Sequence, residues 1–140
     1  MTSVFTRIIE GELPGRFLWR DQHCVAFLSI NPIRAGHTLV VPRAEVDHWI
    51  DLDPATVAHL SMVAAHIGAA QQTLFEPARV GLMIAGFEVA HTHLHVIPID
   101  SMGDLDFANA ATDVHPAALD QVADQLRAEL IRRGHHEAAA

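Results

Sequence analysis

At 140 residues, half of them hydrophobic, the chain has the length of one domain able to bury a core, and no second domain is expected. Nine basic against seventeen acidic residues give a formal charge of −8, which argues against polymeric nucleic acid as a partner but does not exclude a small ligand carrying one or two phosphates. Cys24 is the only cysteine, so an internal disulfide and a cysteine-rich zinc site are both excluded.

Residues 4–9 are apolar around Arg7 and run into Glu10-Gly11-Glu12-Leu13-Pro14-Gly15, which predicts a short helix or turn closed by glycine and proline. Arg7, Glu10 and Glu12 break the apolar run that a signal peptide needs, so a cytoplasmic protein is expected. Residues 17–20 and 24–29 read as a hairpin around Asp21-Gln22-His23, and Asn31 to Gly36 as a loop leading to a strand at 37–42 that Pro42 ends. Asp53 then caps a helix with Pro54 in its first position, running to about residue 75. That helix carries no Asp, Glu, Lys or Arg and could nearly span a bilayer, but His59, Ser61, His66, Gln71, Gln72 and Thr73 interrupt it. Leu60, Val63, Ile67 and Leu74 recur near helical spacing, so a packed amphipathic helix is expected and no membrane partner. Residues 80–85 and 89–98 read as two antiparallel strands joined by Gly86-Phe87-Glu88, and 100–113 as an irregular loop. Pro116 opens a last helix over about 116–133 with Leu119, Val122, Leu126 and Leu130 as its apolar stripe and Asp124–Arg127 and Glu129–Arg133 pairs outside it. Gly134 stops it, and the tail 134–140 is expected to fray, with no role for His135 or His136.

The stretch His91-Thr92-His93-Leu94-His95-Val96-Ile97-Pro98 sets three imidazoles two residues apart in a β-branched run. If the stretch is extended, His91, His93 and His95 share one face with neighbours roughly 6.5–7 Å apart, and Thr92, Leu94 and Val96 share the other. Valine or leucine would pack there without the hydrogen-bond partners that a buried imidazole requires, so the row points to chemistry rather than packing. Metal binding and phosphate chemistry both use neutral imidazole nitrogens and both stay open on spacing alone. His37, just behind Gly36, could join the row if its strand lies in the same sheet.

The run His91-Thr92-His93-Leu94-His95-Val96-Ile97 resembles the His-φ-His-φ-His-φ-φ signature (φ apolar) of the histidine triad nucleotide hydrolases and transferases. The segment Asn31-Pro32-Ile33-Arg34-Ala35-Gly36-His37-Thr38-Leu39-Val40-Val41-Pro42 and the stretch from Val4 to Pro14 are similar to two further landmarks of that family, in the family's order. The resemblance implies an α+β fold with a five-stranded antiparallel sheet, a long helix and a C-terminal helix, assembled as a homodimer with one nucleoside-phosphate pocket per subunit. It implies His93 as the nucleophile that forms a nucleotidyl-histidine, His95 and His91 as groups that bind phosphate oxygens and assist proton transfer, and His37 as the completion of the cluster. It places the base in a slot of Val4, Phe5, Phe27, Ile30 and Leu39, and it requires neither metal nor cofactor.

The sequence departs from the family pattern in several places. Ser29 stands where the family usually has a ribose-gripping Asp, Ala85 where it has Asn, and the loop before the triad is shortened, leaving Glu88 or its backbone nearest the leaving group. The N-terminal cysteines with which some relatives bind structural zinc are absent, so no structural zinc is expected. The reading is a hydrolase of nucleoside phosphoramidates or related nucleoside-phosphate bonds, such as those of dinucleoside polyphosphates. Its alternatives are a nucleotide-binding protein with little turnover and a metal-binding protein using the histidine row.

Overall fold

The breakers and caps of the sequence delimit the elements of the computed structural model, which describes residues 2–139. In chain order these are α1 (Val4–Ile9), β1 (Phe17–Arg20), β2 (Cys24–Leu28), β3 (Thr38–Pro42), α2 (Pro54–Phe75), β4 (Arg79–Met83), β5 (Leu94–Ile99) and α3 (Pro116–Arg132), with short 3-10 turns between and after them. The strands form one sheet in the order β1-β2-β3-β5-β4, with every neighbouring pair antiparallel. This is the α+β arrangement expected. Among the described residues no helix is long and apolar enough to cross a membrane.

Alternation along the strands gives the two faces of the sheet different neighbours. Leu18, Ala26, Leu28, Val40, Leu94 and Val96 pack beneath Leu60, Val63 and Ile67 of α2 and Leu126 and Leu130 of α3. Val25, Phe27, Leu39 and Val41 form a second, smaller core with Phe5 of α1. Because β3 pairs with β5 so that Leu39 lies opposite His95, the His95 side chain belongs to this second face, while Leu94 and Val96 serve the main core.

Helix α2 starts where expected, with the Asp53 carboxylate accepting the N–H of Ala55 and Pro54 at the first position. It lies close on the sheet at Gly68, where an added Cβ would stand 3.1 Å from Cγ1 of Val80. Fully buried Gln71 donates from Nε2 to the carbonyls of Gly36 (2.9 Å) and Val96 (3.0 Å), tying the helix to β5 and to the turn before β3. Gly36 itself has φ +94°, and a Cβ there would come within 2.6 Å of Phe75, so only glycine turns the chain tightly enough here to deliver His37.

Three expectations are corrected. The strand with the histidine row begins at Leu94, not residue 89, so the connection from β4 is longer than three residues and His91 and His93 lie in it. The cause is competition for backbone groups: the His91 carbonyl accepts from the His93 imidazole, and Thr92 gives its N–H and hydroxyl to the carbonyl of Val46, leaving this stretch no ladder to join. The tail does not fray up to Ala139, Ala140 lying outside the described residues, because His136–Ala139 form a 3-10 turn whose Ala138 is buried in the main core and His135 packs 5.3 Å from the Trp19 ring and 4.3 Å from that of His66. The loop after β5 holds two 3-10 turns, Met102–Leu105 and Phe107–Asn109, latched by Arg34, which reaches Asp100 (2.8 Å) and Asp104 (2.6 Å).

Candidate active site

The pairing of β3 with β5 brings His37, at the head of one strand, to His95 in the other, with His37 Nε2 2.9 Å from His95 Nδ1. The protons in this pair can be assigned from their fixed partners. The backbone N–H of Ile33 donates to His37 Nδ1 at 3.1 Å, so in the neutral ring His37 carries its proton on Nε2 and gives it to His95 Nδ1. His95 then holds its own proton on Nε2. Burial keeps both rings neutral, with a further push from the neighbouring His93: the pKa of His37 is lowered to about 4 and that of His95 to about 3.

His93 stands next in the cluster, its ring 4.8 Å from that of His95 and edge-on to Phe5 at 4.9 Å. Its Nδ1 lies 2.7 Å from the carbonyl oxygen of His91, which can only accept, so the proton sits on Nδ1 and the Nε2 lone pair is left free. His91 is oriented differently from the expected row. Its ring is fully buried, Nε2 donating to the Pro42 carbonyl at 2.8 Å and Nδ1 accepting from the Ser3 hydroxyl at 2.6 Å, and it lines neither of the two cavities beside His93. The expectation that its side chain touches phosphate is corrected: both nitrogens are spent inside the protein.

A cavity of about 410 Å³ opens in front of His37, His93 and His95 and is walled by Phe5, Ser29, Asn31, Leu39, Glu88, Phe107 and Ala108. It adjoins a larger one of about 650 Å³, whose lining includes Val4, Phe5, Phe27, Ser29, Ile30, Leu39 and Glu88. All seven residues expected around a ligand therefore share one space, with Phe5, Phe27 and Leu39 as its buried floor and Val4 and Ile30 exposed at its rim. Ser29 accepts the N–H of Asn31 at 3.2 Å. Ala85 is exposed in the connection after β4. Phe107, in the irregular loop after β5, stands edge-on to His95 at 4.9 Å and lines the smaller cavity with Phe5. Nothing in the local pattern around Phe107 marks it. In front of this wall lie a free imidazole lone pair on His93 and an N–H donor on His95, a pair able to attack an electrophile and to steady an oxygen beside it.

The histidine row does not make a metal set, since the His91 nitrogens point away from those of His93 and His95. Among the described residues, Asp21, Cys24 and His59 do bring a carboxylate, a thiol and an imidazole within 4.8 Å of one another, at the turn between β1 and β2. That carboxylate is already saturated: it accepts from Trp19 Nε1 (2.8 Å), His59 Nε2 (2.7 Å) and the N–H groups of His23 and Cys24. Burial works against its charge, yet these four bonds hold it well below the usual carboxylate range. The cluster is the hydrogen-bonded hub of a hairpin turn.

Residues 10–102 match the family model described as HIT domain. A HIT-like protein of Methanocaldococcus jannaschii is 33% identical over 99 residues, 68% of this chain and 77% of the relative. The adenylylsulfatase HINT3 of Arabidopsis thaliana is 30% identical over 128 residues, 88% of this chain and 64% of its own length. Among solved structures, a zinc-bound histidine triad family protein from Mycobacterium smegmatis superposes with a TM-score of 0.80 at 27% identity, covering 96% of each chain.

Proposed function

The chain belongs to the histidine triad family, and from that premise we propose that it is a nucleotidyl hydrolase working through a nucleotidyl-histidine on His93. The observation that carries this reading is the tautomer of His93, with Nδ1–H held by the His91 carbonyl at 2.7 Å and Nε2 left to the cavity. In the proposed reaction the Nε2 lone pair attacks the α-phosphorus and the bond from phosphorus to the leaving group breaks. His95 Nε2–H donates to a phosphate oxygen or to the departing group, and the His91 carbonyl steadies the positive charge that develops on the His93 ring. Water then attacks phosphorus and the bond from phosphorus to His93 Nε2 breaks, releasing the nucleoside monophosphate and restoring the imidazole, while the water proton replaces on His95 Nε2 the one given to the leaving group. The larger cavity suits a base slot, with Phe5, Phe27 and Leu39 as its apolar floor.

The leaving group stands near Glu88 in this reading. A carboxylate there repels an anionic leaving group and attracts an amine, which favours phosphoramidates. The name of the Arabidopsis relative brings adenylyl sulfate within the class to be tried. The test is a panel of adenosine phosphoramidates, adenylyl sulfate, AMP esters and dinucleoside polyphosphates, with release of AMP as the readout. No release from any member, with nucleotide still bound, would replace the enzyme by a nucleotide-binding protein. The same panel in ribo and deoxyribo forms tests Ser29. A charge-assisted hydrogen bond to ribose is worth about 1.5–3 kcal/mol, or roughly ten- to a hundredfold, and an uncharged serine already engaged with Asn31 should hold the two forms within about tenfold. A hundredfold preference for ribose would assign the grip to another residue.

A homodimer completes the proposal. The sheet ends at β4, whose Leu82 is 53% exposed, and the following connection presents Phe87 at 97% exposure, a strand edge and apolar surface of the sort that pairing covers. Light scattering should return twice the 15.3 kDa chain mass, and a monomer at micromolar concentration would overturn the assembly.

A further inference from the structure

Four side chains from three parts of the chain meet next to the candidate nucleophile, and none of them lines either of the two cavities. Ser3 caps α1, accepting the N–H of Thr6 at 3.0 Å. Glu45, in the segment after β3, accepts from both the Ser3 N–H (2.6 Å) and the Thr6 hydroxyl (2.7 Å) through the same carboxylate oxygen. These bonds hold the Glu45 carboxyl below its ordinary pKa. The fourth member is His91, with Nδ1 2.6 Å from the Ser3 hydroxyl.

Counting protons leaves one arrangement. The Pro42 carbonyl cannot donate, so His91 carries its proton on Nε2, and burial, set against that bond, leaves the ring's pKa below the usual histidine value and the ring neutral. His91 Nδ1 is therefore an acceptor. The Thr6 hydroxyl proton is committed to Glu45, and the one Ser3 hydroxyl proton goes to His91 Nδ1 at 2.6 Å rather than to Thr6 Oγ1 at 3.3 Å, because His91 Nδ1 has no other donor. The consequence reaches further, because the backbone carbonyl of the same His91 is the group that holds the proton of His93 on Nδ1. Phe5, in the same first turn of α1, packs 5.8 Å from the His91 ring and 4.9 Å from the His93 ring.

We infer that Ser3, seated on Glu45 and Thr6, is a positioning residue: its hydroxyl fixes the orientation of His91, and through the His91 carbonyl it sets the tautomer that leaves His93 Nε2 nucleophilic. The inference rests on the reading of His93 as nucleophile for its kinetic consequence, but the tautomer itself can be observed without any substrate. Ser3 lies outside the matched stretch 10–102, so the first turn of α1 adds a control on the site that the matched residues do not contain.

The experiment compares wild type with Ser3→Ala and Ser3→Thr. Ring ¹⁵N shifts from long-range ¹H–¹⁵N correlation spectra read the tautomers directly. Wild type should show His91 protonated on Nε2 and His93 on Nδ1; Ser3→Ala should mix the His93 tautomers, and Ser3→Thr, which keeps a hydroxyl, should restore the wild-type pattern. With a turned-over member of the substrate panel, Ser3→Ala should lower kcat about three- to tenfold, the scale of one neutral hydrogen bond, with KM within twofold, and Ser3→Thr should recover it. Unchanged His93 shifts in Ser3→Ala would overturn the inference, as would a loss of melting temperature with neither tautomer nor kcat affected. If no panel member is turned over, the hydrolase reading fails while the ring shifts still decide the role of Ser3.

Discussion

Replacing His93 by alanine is expected to abolish the covalent nucleotidyl adduct and nearly all turnover while nucleotide binding remains measurable. The apolar floor of the larger cavity, Phe5, Phe27 and Leu39, does not depend on the imidazole, and His95 keeps its Nε2–H for a phosphate oxygen. What the variant loses is the imidazole lone pair, and neither remaining histidine of the row supplies one: His95 Nε2 is protonated, because its Nδ1 accepts from His37, and the His91 nitrogens face Ser3 and Pro42. His95→Ala should slow turnover by about 10²–10⁴, the range of one acid–base or electrostatic contact. His91→Ala should act differently, lowering the melting temperature as well as the rate, since it empties a fully buried position and strands the Ser3 hydroxyl. Acid-sensitive labelling with a radiolabelled nucleotide, quenching and peptide mapping decide the matter. Label on His95, or steady turnover without any label on His93, would reassign the nucleophile.

Much of the fold is legible in the sequence because its punctuation is local. Asp53-Pro54 starts α2, Pro42 ends β3 and Pro116 starts α3, each through a cap or a fixed φ that needs no tertiary partner. The period-two reading of the histidine run holds where a ladder exists: His95 faces opposite Leu94 and Val96, as alternation demands. It fails at His91 and His93, where imidazole and threonine side chains take the backbone partners that a strand would use, a competition that spacing does not register. The meeting of His37 with His95 depends on β3 lying beside β5, a neighbour relation between strands that are not consecutive, which residue patterns leave open and the family resemblance supplied. Phe107, Ser3 and Glu45 reach the site only through tertiary structure, from segments whose local patterns carry no chemical signal. The order of the tail is hidden for a related reason, since alanine and histidine give little sign of burial in a short polar stretch until Trp19 and His66 offer them a surface.

The folded protein should lose stability steeply between about pH 6.5 and pH 4, and the His37–His95 pair should account for much of the slope. An unfolded histidine takes up its proton near pH 6.5. In the fold, burial and the nearby His93 lower His37 to about 4 and His95 to about 3. Between those limits the unfolded chain binds more protons than the folded one, so stability rises with pH there: it is greatest above the unfolded value and drains away as pH falls toward the folded values. Each unit of separation is worth about 1.4 kcal/mol, so the pair is worth on the order of a few kcal/mol, a large share of the 5–15 kcal/mol typical of a domain. Asp21 works in a lower window, because a carboxylate held down in the fold loses its stabilising effect only as pH falls below the unfolded value near 4. Hydrogen-bond geometry acts in the same direction as burial. Protonating His37 on Nδ1 forfeits the bond from the Ile33 N–H, and protonating His95 on Nδ1 leaves two N–H groups facing each other at 2.9 Å. Urea unfolding at pH 7.5, 6, 5 and 4.5 measures the slope, and His37→Gln with His95→Gln supplies the control, since an amide can donate and accept as the neutral ring does but does not titrate. The double variant should be less stable than wild type at pH 7.5 yet lose less on acidification. An equally steep fall in both would assign the acid sensitivity to other groups and would mean that these two rings are not held neutral by their burial.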